Sequence, residues 1–142
     1  MKDLKTVITD GEPDKEDLKA LSEGMLAHHA NQGHTRTWKN YSIFLKNPEG
    51  KALAGIIVKF TWNGMQIDSL WVDESLRGQD YGTKLMHMVE EEAKKRGCTI
   101  AFTDTFSYQA PGFYEKLGYT LHGKLEGFPE GSTLCYYHKL LK

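Results

Sequence analysis

The sequence lacks the features that would tie it to a membrane, a nucleic acid or an oxidising compartment. Its longest apolar stretches, such as Gly55–Val58, fall far short of the roughly 20 residues a bilayer crossing needs. Its charge is nearly balanced, 18 Lys and Arg against 19 Asp and Glu. No domain-wide basic field therefore exists to hold nucleic acid or an anionic membrane. Cysteine is scarce: Cys98 and Cys135 are the two present. They exclude a disulfide framework and a four-ligand metal site, and reduced, buried thiols are expected. "MKDLKTVITDGEPD" at the N-terminus has no apolar signal core, so a cytoplasmic protein is expected. Neither Gly-x-Gly-x-x-Gly nor Gly-Lys-Ser/Thr occurs, which removes the usual dinucleotide and P-loop patterns. Repeats, linkers and low-complexity segments are also missing.

What is present suits one domain over residues 1–142 with one sizeable core: 39% of residues are hydrophobic and 26% charged. "LKTVITD" (4–10) alternates as a first strand would. "PDKEDLKALSEGMLAHHANQG" reads as a helix capped by Asp14, with Leu18, Leu21 and Met25 at helical spacing. Three strands follow, divided by "NPEG" (47–50) and "NG" (63–64). In the third, 65–72, the polar face of Gln66 and Asp68 becomes the apolar face of Leu70 and Val72. Such a phase break predicts a bulge near Ser69 or burial on both faces.

A helix over Tyr81–Arg96 has the stripe Tyr81, Leu85, Met88, Val89 and Ala93. Glu90, Glu91 and Glu92 stand four residues before Lys94, Lys95 and Arg96, the favourable order for surface ion pairs. "CTIAFTDTF" reads as a buried strand, and "APGFYEKLG" as a short helix between Pro111 and Gly118. "YTLHGKLE" and "TLCYYHKLL" form a closing antiparallel pair. This order predicts an α/β (α+β) fold, a mixed sheet with helices on both faces. Residues 131–141 are expected to offer an edge through which a homodimer can form.

The loop 73–80 joins strand 65–72 to the long helix. It aims unpaired main-chain N–H groups and the positive end of a helix dipole at one point, where a phosphate or pyrophosphate fits. Gly78 and Gly82 allow close approach, and Arg77 adds a cation. Asp80 is unexpected in such a cradle. As an N-cap it can turn its carboxylate outward, or toward Thr83 or Lys84, and leave the N–H groups open.

"LWVDESLRGQDYGTKLM" followed by "FYEKLGY" resembles the GCN5-related N-acetyltransferases, and the resemblance covers nearly the whole chain. It implies that family's fold, a mostly antiparallel central sheet, and acetyl-CoA as co-substrate. The family's pyrophosphate motif maps to Arg77, Gly78, Gln79, Asp80, Tyr81 and Gly82, with Thr83 next in the helix. The resemblance further implies that acetyl-CoA lies between two splayed parallel strands, 65–72 and 98–105. Main-chain groups of Leu70, Trp71 and Val72 would pair with its pantetheine arm. Asp80 stands where the motif usually has its first Gly. Ser107 takes the place of a cofactor-contacting Asn and offers a shorter hydroxyl.

Transfer to an amine needs a neutral amine, a donor for the developing oxyanion and an acid for the departing thiolate. The resemblance assigns the acid role to Tyr114. Phe113 and Leu117 are four apart and expected in the core, whereas Tyr114 is turned by about 100° and can face the cleft. Main-chain N–H groups around Leu70–Val72 are the expected oxyanion donors. Asp68 is the candidate base, acting through a water, against the alternative of a solvated strand carboxylate; Glu126 and Asp73 are weaker candidates. His28, His29 and His34 lack an accompanying carboxylate or Cys at ligand spacing, so no metal is expected. Trp38, Trp62, Trp71, Tyr108 and Phe128 can line an aromatic acceptor pocket or pack in the core. "GFPEG" (127–131) can serve as a lid or a dimer contact. The expected acceptor is a small primary amine. The alternatives are a protein N-terminus or lysine, a non-catalytic acyl-CoA-binding module, and an unrelated domain for another phosphorylated ligand.

Overall fold

A computed structural model describes residues 3–142. The chain forms two compact units that divide between Arg36 and Thr37. The first holds α1 (Lys15–Asn31), whose N-cap Asp14 accepts from the Glu16 N–H at 3.2 Å. The expected strand at 4–10 does not form. Its alternation supplies β-propensity, but a strand exists only where a ladder partner takes its N–H and C=O groups.

The second unit is a six-stranded sheet with two helices. In chain order it contains β1 (Trp38–Lys46), β2 (Ala52–Thr61), β3 (Gly64–Val72), α2 (Tyr81–Lys95), β4 (Ile100–Phe106), α3 (Pro111–Lys116), β5 (Thr120–Glu126) and β6 (Thr133–Leu140). A single 3-10 turn, Glu74–Leu76, lies between β3 and α2. The strand order is β1-β2-β3-β4-β6-β5. Neighbours are antiparallel except β3 and β4, which run parallel. β6 is therefore interior, and the edge expected at 131–141 belongs to β5. Residues 133–140 pair on both sides because β4 and β5 flank them.

The β2–β3 connection also differs from the expected Asn-Gly turn. Thr61 pairs with Gly64, so the turn residues are Trp62 and Asn63, and Trp62 takes a φ of 48°. Gly64 lies inside the sheet, where a Cβ would stand 3.4 Å from the Phe102 ring and 3.5 Å from Ile100, in ordinary van der Waals contact. Asn63 secures the turn by donating from Nδ2 to Thr99 Oγ1 at 2.7 Å.

Ala54, Ile56 and Val58 of β2 and Leu85, Met86, Val89 and Ala93 of α2 are fully buried against one another's elements. Met86 fills the place expected for Met88, which is 41% exposed. The buried face of α2 is thus rotated toward 82, 86 and 90. That rotation also removes Glu90 from the expected surface pairing with Lys94. Glu90 is 4% exposed, accepts from the Tyr119 hydroxyl at 2.7 Å and pairs with Lys139 at 3.0 Å. Lys94 pairs with Glu91 instead, and Arg96 pairs with Glu92 as expected. Gly82 of α2 faces Phe113 of α3, so both helices of this unit share one face of the sheet.

Glu90 is a buried carboxylate whose cost is offset by its two partners. Removing one partner of such a pair costs about 3 kcal/mol, because the remaining charge stays buried. Lys139→Met is expected to lower urea-unfolding stability by that amount, and adding Glu90→Gln to recover most of it. Equal stability of Lys139→Met and the wild type would show that Tyr119 alone suffices.

Candidate active site between two diverging strands

β3 and β4 pair only over Gly64–Gln66 and Ile100–Phe102. Beyond that they separate. The divergence starts at a bulge: Ile57 pairs with Ser69 and Val58 with Ile67, leaving Asp68 as the extra residue. This is the bulge that the phase break in 65–72 predicts. Two side chains satisfy carbonyls at the ends of the opened edge. Thr103 Oγ1 donates to the Ile67 carbonyl at 3.0 Å, and Arg77 Nε donates to the Val72 carbonyl at 3.1 Å. The β3 main chain between them has no β4 partner.

Two cavities occupy the opening. The first, about 240 Å³, lies against the turn before α2 and is lined by Val72, Arg77, Gly78, Asp80–Thr83 and Phe113. Among the described residues, no protein acceptor takes the main-chain N–H groups of Gly78 to Thr83; the first helical bond runs from Lys84 to the Asp80 carbonyl at 3.0 Å. These N–H groups and the helix dipole make the cavity suited to an anion. Gly78 has a φ of 77°, a conformation that glycine adopts without strain.

Asp80 is the α2 N-cap residue with φ 64° and ψ 20°, and its side chain makes no capping bond. The capping of Thr83 or Lys84 allowed by the sequence does not occur; an N-cap residue ordinarily has an extended backbone, and Asp80 is left-handed. The motif's usual Gly has a physical reason here. The position is left-handed, and Asp is one of the few other residues that tolerate it. Gln79 lies outside the cavity lining, its Nε2 at 3.5 Å from the Ser75 carbonyl.

The second cavity, about 310 Å³, lies in the fork itself. Asp68, Ser69 and Leu70 line it from β3, Thr103–Phe106 from β4, and Phe113 and Tyr114 from α3. Phe113 lines both cavities, so it marks where they meet, while it also packs against the core as its spacing suggests. Tyr114 is the more buried of the two at 6% exposure. Its ring packs edge-on to Phe113 and Tyr119, with centroids at 5.1 and 5.7 Å, and stacks on Tyr137 at 6.2 Å. Burial pushes its phenol above the ordinary value; the nearby Thr103 hydroxyl opposes that shift and the Asp104 carboxylate adds to it. The phenol is therefore protonated at neutral pH and available as a proton donor. Tyr119 and Tyr137 are less suited, since their hydroxyls already donate to Glu90 and Glu115 at 2.7 and 2.8 Å.

Other sequence candidates fall outside these linings. The Trp71 side chain is 48% exposed, so it offers only main chain to the fork. Ser107 Oγ accepts from the Thr133 N–H at 3.1 Å and ties β4 to β6. Asp73 caps the 3-10 turn, and its hydrogen bonds from Ser75 hold its carboxyl below the usual range, which makes it a poor base. Glu126 ends β5. Trp38 and Trp62 flank a separate depression beside Arg96 and Cys98, at the end of the sheet where β3 and β4 begin. Tyr108 and Phe128 do reach the fork's edge. Phe106 stacks on Tyr108 at 5.4 Å and meets Phe128 at 5.9 Å. The 127–131 loop is closed by Gly127 and Phe128 N–H bonds to the Ser132 carbonyl. Among the described residues no cluster of His, Cys, Asp and Glu is arranged to hold a metal ion, and no helix is long and apolar enough to cross a membrane.

The sequence reading missed Thr103, Asp104 and Phe106. The alternation of "FTDTF" was the available signal: Thr103 and Thr105 share the buried face, where polar residues need a reason.

This chain is similar in sequence and fold to known proteins. A crystal structure of an acetyltransferase from Bacillus cereus superposes with a TM-score of 0.84 at 32% identity, over 96% of this chain and 98% of that one. Acetyltransferase Atu2258 of Agrobacterium fabrum is 29% identical over 126 residues, 89% of this chain and 92% of its own length. Blasticidin-S acetyltransferase of Streptomyces morookaense is 32% identical over 94 residues, 66% of this chain and 69% of its own. The acetyltransferase (GNAT) family model matches residues 13–119, a span that takes in the diverging strands, the turn before α2, and α3. The chain belongs to the GNAT family of acetyltransferases.

Proposed function

We propose that the protein transfers the acetyl group of acetyl-CoA directly to a primary amine of a small molecule, both substrates being bound together. The observation that carries this is the pair of cavities meeting at Phe113, with unbonded N–H groups in one and the buried Tyr114 phenol in the other. A diphosphate fits the first. The pantetheine arm then runs along the unpaired main chain of Leu70–Val72 and brings the thioester into the fork. The Streptomyces relative, by its name, acts on blasticidin S, which supports a small-molecule acceptor.

In this reading the amine nitrogen attacks the thioester carbonyl carbon, forming the C–N bond. Main-chain N–H groups of the unpaired β3 segment receive the charge that develops on oxygen. The C–S bond breaks, and the sulfur takes the Tyr114 proton. The surplus proton on nitrogen leaves through water toward Asp68, the bulged carboxylate in the same cavity. Asp80 lines the diphosphate cavity, so its charge opposes binding there, while Arg77 favours it.

A screen of primary amines against purified protein and acetyl-CoA, read as thiol release, tests the reading. Tight acetyl-CoA binding without amine-stimulated release would reduce it to a binding module. Tyr114→Phe is expected to lower kcat by about 10²- to 10⁴-fold while changing acetyl-CoA affinity little; undiminished turnover would remove Tyr114 from the mechanism. Asp80→Gly should relieve left-handed strain and raise stability by up to about 1 kcal/mol. Calorimetric titration should show acetyl-CoA binding unchanged or tighter, and a large loss of affinity would reveal a structural duty for the carboxylate.

A further inference from the structure

We propose that Asp104 selects the acceptor by pairing with a second cationic group on it, while the acceptor's flat apolar body lies against Phe106, Tyr108 and Phe128. The substrate class is then an aryl diamine, or an aryl amine bearing a guanidinium; the inference rests on the acetyltransferase reading above. Side chains alternate across a strand. On β4, Ala101, Thr103 and Thr105 are buried, and Thr103 sits opposite Tyr137, whose hydroxyl reaches Glu115 of α3. That face therefore carries the helices, and Asp104 and Phe106 stand on the other. Both still line the fork cavity together with Tyr114, so the gap between β3 and β4 is lined from both faces of the sheet. Phe106 stacks on Tyr108 with ring planes 1° apart, and Phe128 meets Phe106 at 49°. Tyr108 and Phe128 are 64% and 51% exposed, so the aromatic wall beside Asp104 leaves apolar ring surface open.

The cavity lining holds two carboxylates, Asp68 and Asp104, and no Lys, Arg or His. Among the described residues neither has an ion-pair partner. The attacking nitrogen sheds a single proton, which Asp68 receives in the reading above, and Asp104 is left over. With nothing bound to it, Asp104 opposes the reaction, because its charge helps to hold the proton on Tyr114. A permanent cation on the acceptor removes that opposition and gains a charge-assisted hydrogen bond. The aromatic wall adds apolar contact to the body that joins the two nitrogens, and ring faces attract a cation as well. A monoamine of the same shape leaves Asp104 unpaired.

Para-xylylenediamine and para-methylbenzylamine share a ring and a reacting aminomethyl group and differ in one charge. Wild-type kcat/KM is expected to favour the diamine about 10- to 100-fold, the worth of a hydrogen bond to a charged group. Asp104→Asn should abolish the preference while keeping para-methylbenzylamine at or above its wild-type rate, and Asp104→Glu should keep the preference. Asp104 is exposed, so these changes leave the core intact. A wild-type preference no larger than the statistical advantage of two reactive ends would overturn the proposal. So would a preference that survives in Asp104→Asn, or an equal loss for both amines, which would place Asp104 in the transfer step and not in acceptor choice. Tyr108→Ala should raise KM for both amines alike, and an unchanged KM would remove the aromatic wall from the site. Calorimetric titration of the coenzyme A-loaded protein with para-xylylenediamine reads the contact without turnover, and binding should weaken about 10-fold or more in Asp104→Asn. Failure of every amine in the screen to stimulate thiol release sinks the acetyltransferase reading. Diamine binding that is absent, or that ignores Asp104→Asn, sinks this proposal whether or not any amine is acetylated.

Discussion

Parallel strands that stop pairing inside a sheet leave main-chain polar groups in the interior, and such groups must find other partners. β3 and β4 stop after Gln66 and Phe102, and the site follows from how that debt is met. Side chains take the two carbonyls at the ends of the opening, Thr103 at Ile67 and Arg77 at Val72. The stretch between them stays available to an extended ligand. The bulge at Asp68 supplies the bend. Pairing with β2 continues on its other side, so β3 remains anchored while its β4 edge opens.

The turn before α2 obeys the same accounting at a helix end. The N–H groups from Gly78 to Thr83 have no partner among the described residues, and a helix N-terminus in this state favours an anion. Asp80 takes a left-handed backbone, which Asp withstands better than most residues, and its side chain makes no cap. The local strain and the added negative charge are both costs that a glycine would avoid, and they are concentrated at one position of an otherwise permissive loop.

Three tyrosines meet behind the fork, and their partners separate their roles. Tyr119 and Tyr137 donate to carboxylates and brace α2, α3 and β6. Tyr114 lines the cavity in the fork, and among the described residues its hydroxyl donates to no carboxylate. A phenol that hydrogen-bonds to a carboxylate holds its proton firmly; one without such a bond can release it more readily.

The sequence by itself determined the strand–turn–helix frame. The phase break in 65–72 offered a bulge as one of two readings, Pro111 and Gly118 bounded α3, and the glycines after Arg77 marked the turn that opens α2. These signals are local, set by backbone preference and periodicity, and need no distant partner to be legible. Tertiary structure decided the rest. Residues 4–10 had strand periodicity but no ladder. β6 became interior because β5 took the edge. Met86 and Glu90 went inside because α2 sits on the sheet rotated away from Met88. Phe113 and Tyr114 differ by one position on a single helical turn, and only the packing of α3 beside Gly82 and the fork set which ring lines both cavities and which phenol lines the fork alone. Each of these outcomes depends on contacts between residues far apart in the chain, where spacing along the sequence carries no information about which face meets which.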